Sequence, residues 1–168
     1  MISNRKINIY LLLAVLTTAA GCAKKPSEVP VRNFMLETPD RERFYLNEYK
    51  GRPIVLMFWT TWCSICKVQM NQLPALIENT LGGGREAVLV AVCADPENID
   101  AAGLSFPKEI TVLLDRNASV TRNYGIKAFP TTIIIDRSFE TTFFKEGYGP
   151  RTSRQISSAL QSAAAESR

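Results

Sequence analysis

The 168-residue chain contains no histidine and only four cysteines. A zinc site takes about four ligands, usually cysteine or histidine. Cys63 and Cys66 have one other plausible thiol, Cys93, to join them, so no metal is expected. A basic cluster is lacking as well. The net charge is +4, but Arg5 and Lys6 lie in a leader without acids; setting them aside leaves 18 of the 20 basic residues against 16 acidic ones. That is no nucleic-acid footprint, which needs basic residues gathered on one face. Gly82-Gly83-Gly84 has no Gly-Lys-Ser/Thr after it, so it reads as a helix cap and turn rather than a phosphate loop. No apolar run is long enough for a comfortable bilayer span. What remains is ordinary for one soluble domain with a proper core: 46% apolar and 21% charged residues.

Residues 1–22 read as a targeting segment. Asn4-Arg5-Lys6 supplies a positive start, an apolar stretch covers 7–20, and Ala19-Ala20-Gly21-Cys22 places small residues before a cysteine. This resembles a bacterial lipoprotein signal, with Cys22 lipidated and new N-terminus, although a Leu is usual where Ala19 stands. An ordinary secretory signal or an uncleaved anchor are the alternatives. All three put the domain outside the cytoplasmic membrane, where disulfides persist. Residues 23–31, with Pro26 and Pro30, read as a tether. Residues 32–165 form the domain.

Within it, Trp62-Cys63-Ser64-Ile65-Cys66-Lys67 follows the apolar run Ile54–Trp59 and precedes a helical pattern over 67–80. A Cys-x-x-Cys at a strand-to-helix junction puts the first sulfur at a helix N-terminus. Unpaired N–H groups and the macrodipole there favour thiolate over thiol. The thiolate attacks disulfides, and the second cysteine can resolve the mixed disulfide. A purely structural bridge across so short a loop would stabilise by only about 2 kcal/mol. Redox chemistry is therefore the reading preferred over a structural disulfide or a metal site.

The run Ile54–Trp59 is apolar throughout, as a strand covered on both faces should be. Short strands are expected at 33–36, 43–46, 87–92 and 110–114, and a hairpin at 131–136 and 141–145. The helix after the cysteines should bury Val68, Met70, Leu73, Leu76 and Ile77 and kink at Pro74. Further helical segments are expected over 97–104, 118–124 and 152–165. Alternating strands and helices with a closing hairpin predict an α/β domain.

These parts, in this order, resemble the extracytoplasmic TlpA/ResA-like thiol–disulfide oxidoreductases of the thioredoxin superfamily. The resemblance covers roughly 33–160. It is carried by Lys50-Gly51-Arg52-Pro53, Phe58-Trp59-Thr60-Thr61-Trp62-Cys63-Ser64-Ile65-Cys66-Lys67, Leu73-Pro74-Ala75-Leu76, Val92-Cys93-Ala94-Asp95, and Tyr124-Gly125-Ile126-Lys127-Ala128-Phe129-Pro130-Thr131-Thr132. It implies a thioredoxin fold: a central mixed β-sheet flanked by helices, with an N-terminal β extension. It implies a cis Phe129–Pro130 bond beside the dithiol, with Phe129, Pro130 and Thr131 docking an extended substrate. Trp62, Ser64 and Ile65 belong to the motif itself.

Three features depart from the family pattern. Ile65 stands where many relatives have proline before the second cysteine. The pair Ser64-Ile65 offers no cation to depress the first thiol's pKa, which favours a reductant or an intermediate potential. Met57 and Gln69 stand where relatives place a buried acid, so the usual proton route from Cys66 is in doubt; water or Asp95 would have to serve. Cys93, at the end of a strand beside the site, reads as a buried small side chain, with a third redox thiol as the alternative.

The function implied is an enzyme that exchanges disulfides with exported proteins, apocytochrome c among the candidates. A membrane thiol carrier would be its electron donor and the N-terminal lipid its membrane anchor. No bound cofactor is implied, and a monomer is expected. A thiol peroxidase is the second class, with Thr60 three residues before Cys63 but Leu56 where such enzymes carry proline. A non-catalytic binding lipoprotein is the third. A copper chaperone is disfavoured by the missing histidine.

Overall fold

Every residue of the run Ile54–Trp59 is buried, because this strand lies inside a sheet with both faces covered. The computed structural model describes residues 29–82, 87–99 and 103–165. The leader, Cys22 and most of the expected tether lie outside the described residues. Among the described residues, no helix is long and apolar enough to cross a membrane.

Among the described residues, seven strands form one sheet: β1 (Met35–Glu37), β2 (Arg43–Tyr45), β3 (Ile54–Trp59), β4 (Val88–Cys93), β5 (Ile110–Leu114), β6 (Thr131–Ile135) and β7 (Thr141–Glu146). Their order is β2-β1-β5-β4-β3-β6-β7. β3, β4 and β5 run parallel, while β6, β7, β1 and β2 add antiparallel pairs. The sheet is therefore mixed, with β1 and β2 as an N-terminal extension. The helices are α1 (Ser64–Leu81), α2 (Ser119–Asn123) and α3 (Pro150–Ala165).

Strand alternation splits the apolar residues into two cores. Val55, Met57 and Trp59 face one way, with Ala91, Cys93 and Ile134. They pack with Cys66, Met70, Leu73 and Ile77 of α1 and with Ile156 and Leu160 of α3. Ile54, Leu56 and Phe58 face the other way, toward Phe44, Leu46, Val120 and Tyr124. Val29 joins this second core although it lies in the stretch read as tether. Just beyond it, the Tyr124 hydroxyl clasps the Arg32 main chain, donating to its carbonyl at 2.8 Å and accepting from its N–H at 3.2 Å.

Three expectations shift. α1 begins at Ser64, not 67, so the cysteines belong to its first turn. Its buried face is Cys66, Gln69, Met70, Leu73 and Ile77; Val68 is 45% exposed and Leu76 only partly buried. With Cys66 inside the helix, the buried row runs 66, 69, 70, 73 and 77, which puts Gln69 on the inner face and Val68 off it. The described part of 97–104 holds only a short 3-10 turn, Pro96–Asn98.

Candidate active site

Trp59 ends β3, and the chain turns through Thr60-Thr61-Trp62 into α1. Cys63 is the N-cap of that 18-residue helix. Its sulfur accepts a hydrogen bond from the Cys66 N–H at 3.2 Å, and its carbonyl accepts from the Lys67 N–H at 3.3 Å. A helix N-terminus leaves its first N–H groups without intrahelical partners. Here one of them points at the sulfur that would bear the thiolate charge. Cys63 and Cys66 form a disulfide with an S–S length of 2.05 Å and Cα atoms 5.3 Å apart.

The two sulfurs differ in access: Cys63 is 5% exposed and Cys66 0%. Around Cys63 the surface is apolar. Trp62 is 72% exposed and Ile65 42%. The Trp62 ring meets Phe129 edge-on, with centroids 6.3 Å apart. Phe129 belongs to the loop before β6, and its peptide bond to Pro130 is cis. The Pro130 carbonyl accepts from the Gly147 N–H at 2.7 Å, and the Thr131 hydroxyl donates to the Ala128 carbonyl at 2.7 Å. These bonds hold the loop beside the dithiol. The structure thus brings Trp62, Cys63, Ile65, Cys66, Phe129 and Pro130 together, with Ser64 exposed in the first turn.

Behind Cys66 lies a dry side. Gln69 is completely buried and its Nε2 donates to the Thr132 hydroxyl at 2.6 Å. Its Oε1 has no partner among the described residues. Met57 pairs in register with Thr132, so Met57, Thr132 and Gln69 adjoin with no carboxylate among them.

Asp95 does not stand free as a base. Its Oδ1 accepts from the Thr61 N–H at 2.8 Å and its Oδ2 from the Thr61 hydroxyl at 2.6 Å. The Cys93 thiol donates to Oδ1 at 3.5 Å. Cys93 is fully buried, and burial, more than the Asp95 charge, pushes its thiol up to about 12. Such a thiol is a poor nucleophile. Thr61 and Thr132 are the site residues that sequence reasoning missed. The Asp95-Pro96 pair closing a strand was a signal of a local carboxylate contact, but nothing marked Thr61 as its partner.

Among the described residues, no group of three or more His, Cys, Asp or Glu side chains is gathered to hold a metal ion.

A dithiol at the start of a helix, beside a cis proline and on a mixed seven-stranded sheet, defines a thioredoxin-fold oxidoreductase site. The Redoxin family model matches residues 25–161, and the chain belongs to that family. It is 29% identical over 140 residues to the thiol–disulfide oxidoreductase ResA of Geobacillus thermodenitrificans, covering 80% of each chain. A solved structure described as a thiol:disulfide interchange protein DsbE from Chlorobium tepidum matches with a TM-score of 0.68 at 26% identity, covering 80% of this chain and 95% of that one. The exposed lipoprotein thioredoxin Etrx1 of Streptococcus pneumoniae matches with a TM-score of 0.60 at 27% identity, covering 77% of this chain and 100% of that one. The enzyme is a thiol–disulfide oxidoreductase of the ResA/DsbE type, acting on protein thiols or disulfides through Cys63 and Cys66.

Proposed function

We propose that this oxidoreductase works outside the cytoplasmic membrane, tethered through a lipid on Cys22, and reduces disulfides in exported proteins. The observation that carries the reading is the platform of exposed Trp62 and half-buried Phe129 flanking a helix-capping Cys63. It offers an extended polypeptide an apolar bed beside the attacking sulfur. The similarity to an exposed lipoprotein thioredoxin of Streptococcus pneumoniae supports the location. The Ala19-Ala20-Gly21-Cys22 segment supports the lipid, with 1–22 as signal and a tether that ends before Val29, which belongs to the domain's core.

In the reductive direction the Cys63 thiolate attacks one sulfur of the substrate disulfide. A mixed disulfide forms and the other substrate sulfur leaves as thiolate, taking a proton from solvent. Cys66 then loses its proton and attacks the Cys63 sulfur. The second substrate thiolate departs, and the enzyme is left with the Cys63–Cys66 disulfide. The substrate has gained the two electrons that the dithiol lost. A membrane thiol carrier restores the dithiol by the reverse exchange. Phe129 lines the substrate side of this encounter, while Pro130 and Thr131 are buried behind it and hold the loop.

The direction follows from Ser64-Ile65, which places no cation between the cysteines to stabilise the thiolate further. The deciding measurement is the reduction potential of the pair in glutathione or thioredoxin buffers. A value near roughly −270 mV makes the enzyme a reductant, and one near roughly −120 mV overturns that direction.

A further inference from the structure

We propose that Asp95 is a positioning residue for the dithiol: its carboxylate clamps Thr61 and so fixes the turn that carries Cys63. The inference rests on the exchange chemistry proposed above and adds a residue to it.

β3 and β4 run in parallel register up to Trp59 and Cys93. One further main-chain bond, from the Ala94 N–H to the Trp59 carbonyl at 2.9 Å, extends the ladder. Past that point the two chains part. One enters the turn Thr60-Thr61-Trp62, the other the short 3-10 turn Pro96–Asn98. The Asp95 carboxylate spans the gap. Both of its oxygens engage Thr61, one through the main-chain N–H and one through the hydroxyl. Cys93 adds its weak thiol donor from below. Thr61 is buried, so neither of its groups can turn to water if the carboxylate is removed. The next link is the Cys63 N–H, which donates to the Thr60 carbonyl at 3.2 Å. Asp95 therefore ties the whole Thr60–Cys63 turn to the end of β4.

Exchange needs the incoming sulfur, the attacked sulfur and the leaving sulfur nearly in line. A turn free to swing loses that alignment, and small displacements of a reacting group are costly in rate. The short charged hydrogen bonds that Asp95 accepts are of the stronger kind. Cys93 gains an account too: it is a small buried side chain that can still offer a proton to the clamp.

The test compares Asp95→Ala, Thr61→Val and Thr61→Ser in the full-length protein in detergent, each with circular dichroism and a melting curve. The readout is the rate at which the reduced protein opens a small symmetrical disulfide, which makes little use of the Trp62–Phe129 platform. Asp95→Ala should slow that step about tenfold, equivalent to ~1.4 kcal/mol of barrier. Thr61→Val keeps the shape but loses the hydroxyl and should slow it about threefold, ~0.65 kcal/mol. Thr61→Ser loses only a methyl, keeps both donors and should restore the rate. A role in packing predicts the reverse order, with Val near the parent and Ser slow, and that result overturns the clamp. So does a folded Asp95→Ala variant at the parent rate. If Asp95→Ala does not fold, the two Thr61 variants decide alone. Failure of the unsubstituted protein to open any disulfide would overturn the exchange reading itself, an outcome separate from either order of the Thr61 pair.

Discussion

Cys63 and Cys66 are 5.3 Å apart at Cα, yet their surroundings have little in common. The Cys63 side is polar beneath and open above. A carboxylate holds its turn through Thr61, a helix N–H points at its sulfur, and Trp62 stands in solvent. The Cys66 side is buried and carries no charge. Met57, Thr132 and an amide fill the space, and one end of that amide has no partner among the described residues. The contrast assigns different tasks to two identical side chains. In the proposed mechanism the more accessible sulfur attacks, and the buried one resolves once the mixed disulfide brings an electrophile to it.

The sharpest way to break this comparison is to remove each sulfur in turn. Cys63→Ser should abolish exchange, because no other accessible thiol among the described residues can attack. Cys66→Ser should still attack but stall as a mixed disulfide with its substrate, visible as a covalent species on a non-reducing gel. If Cys66→Ser turned over like the parent and Cys63→Ser trapped substrate, the two roles would be exchanged.

A smaller effect concerns the missing acid. A carboxylate at position 69 could accept the Cys66 proton, whereas Gln69 can only hydrogen-bond. Gln69→Glu should raise the rate of reducing a model disulfide severalfold where the new carboxyl is ionised, adding a second inflection to the pH dependence the parent already has through its attacking thiol. Burial should hold the new carboxyl neutral to well above the usual carboxylate range. Its folded-state pKa would then exceed its unfolded one. The variant's stability should be fully present below pH ~4.3 and fall as pH rises through the raised value. A rate equal to the parent's across pH would show that the Cys66 proton leaves by another route.

Much of this arrangement was legible in the chain. An apolar run with no polar interruption marked β3, and two cysteines directly after it marked the helix start. Pro130 opening a strand marked the loop, through resemblance rather than through any local rule. The buried face of α1 differs from the expected one for a physical reason: a helix counted from 67 leaves out Cys66, and the row that packs on the sheet is 66, 69, 70, 73 and 77, with the polar Gln69 inside. The Thr61–Asp95 tie was invisible because it depends on the register of β3 against β4, a long-range quantity. Thr132 escaped for the same reason, since only the pairing of β6 with β3 sets it opposite Met57. Long-range register, more than composition, is what the residues alone withheld.

The smallest predicted effect tests Cys93 as a buried, inert member of the Cys63 side. Its thiol is raised by burial from 9.0 to about 12. Below the unfolded value both states keep the proton, so pH has no leverage through this group. Above it the unfolded chain ionises while the folded one does not, and stability should fall with rising pH until the folded value is reached. Tyr124, raised from 10.0 to about 12 mainly by burial, adds to the fall only from its own unfolded value upward. The first unit of the decline is therefore where Cys93 acts before Tyr124 joins it. Denaturant midpoints measured on the oxidised protein, in which Cys63 and Cys66 do not titrate, should show a shallower decline there for Cys93→Ala. The neutral-pH cost of that substitution should be about 1 kcal/mol, the size of a small buried deletion. An identical slope in parent and variant would mean that Cys93 ionises freely, and its burial beneath the Asp95 clamp would not hold in solution.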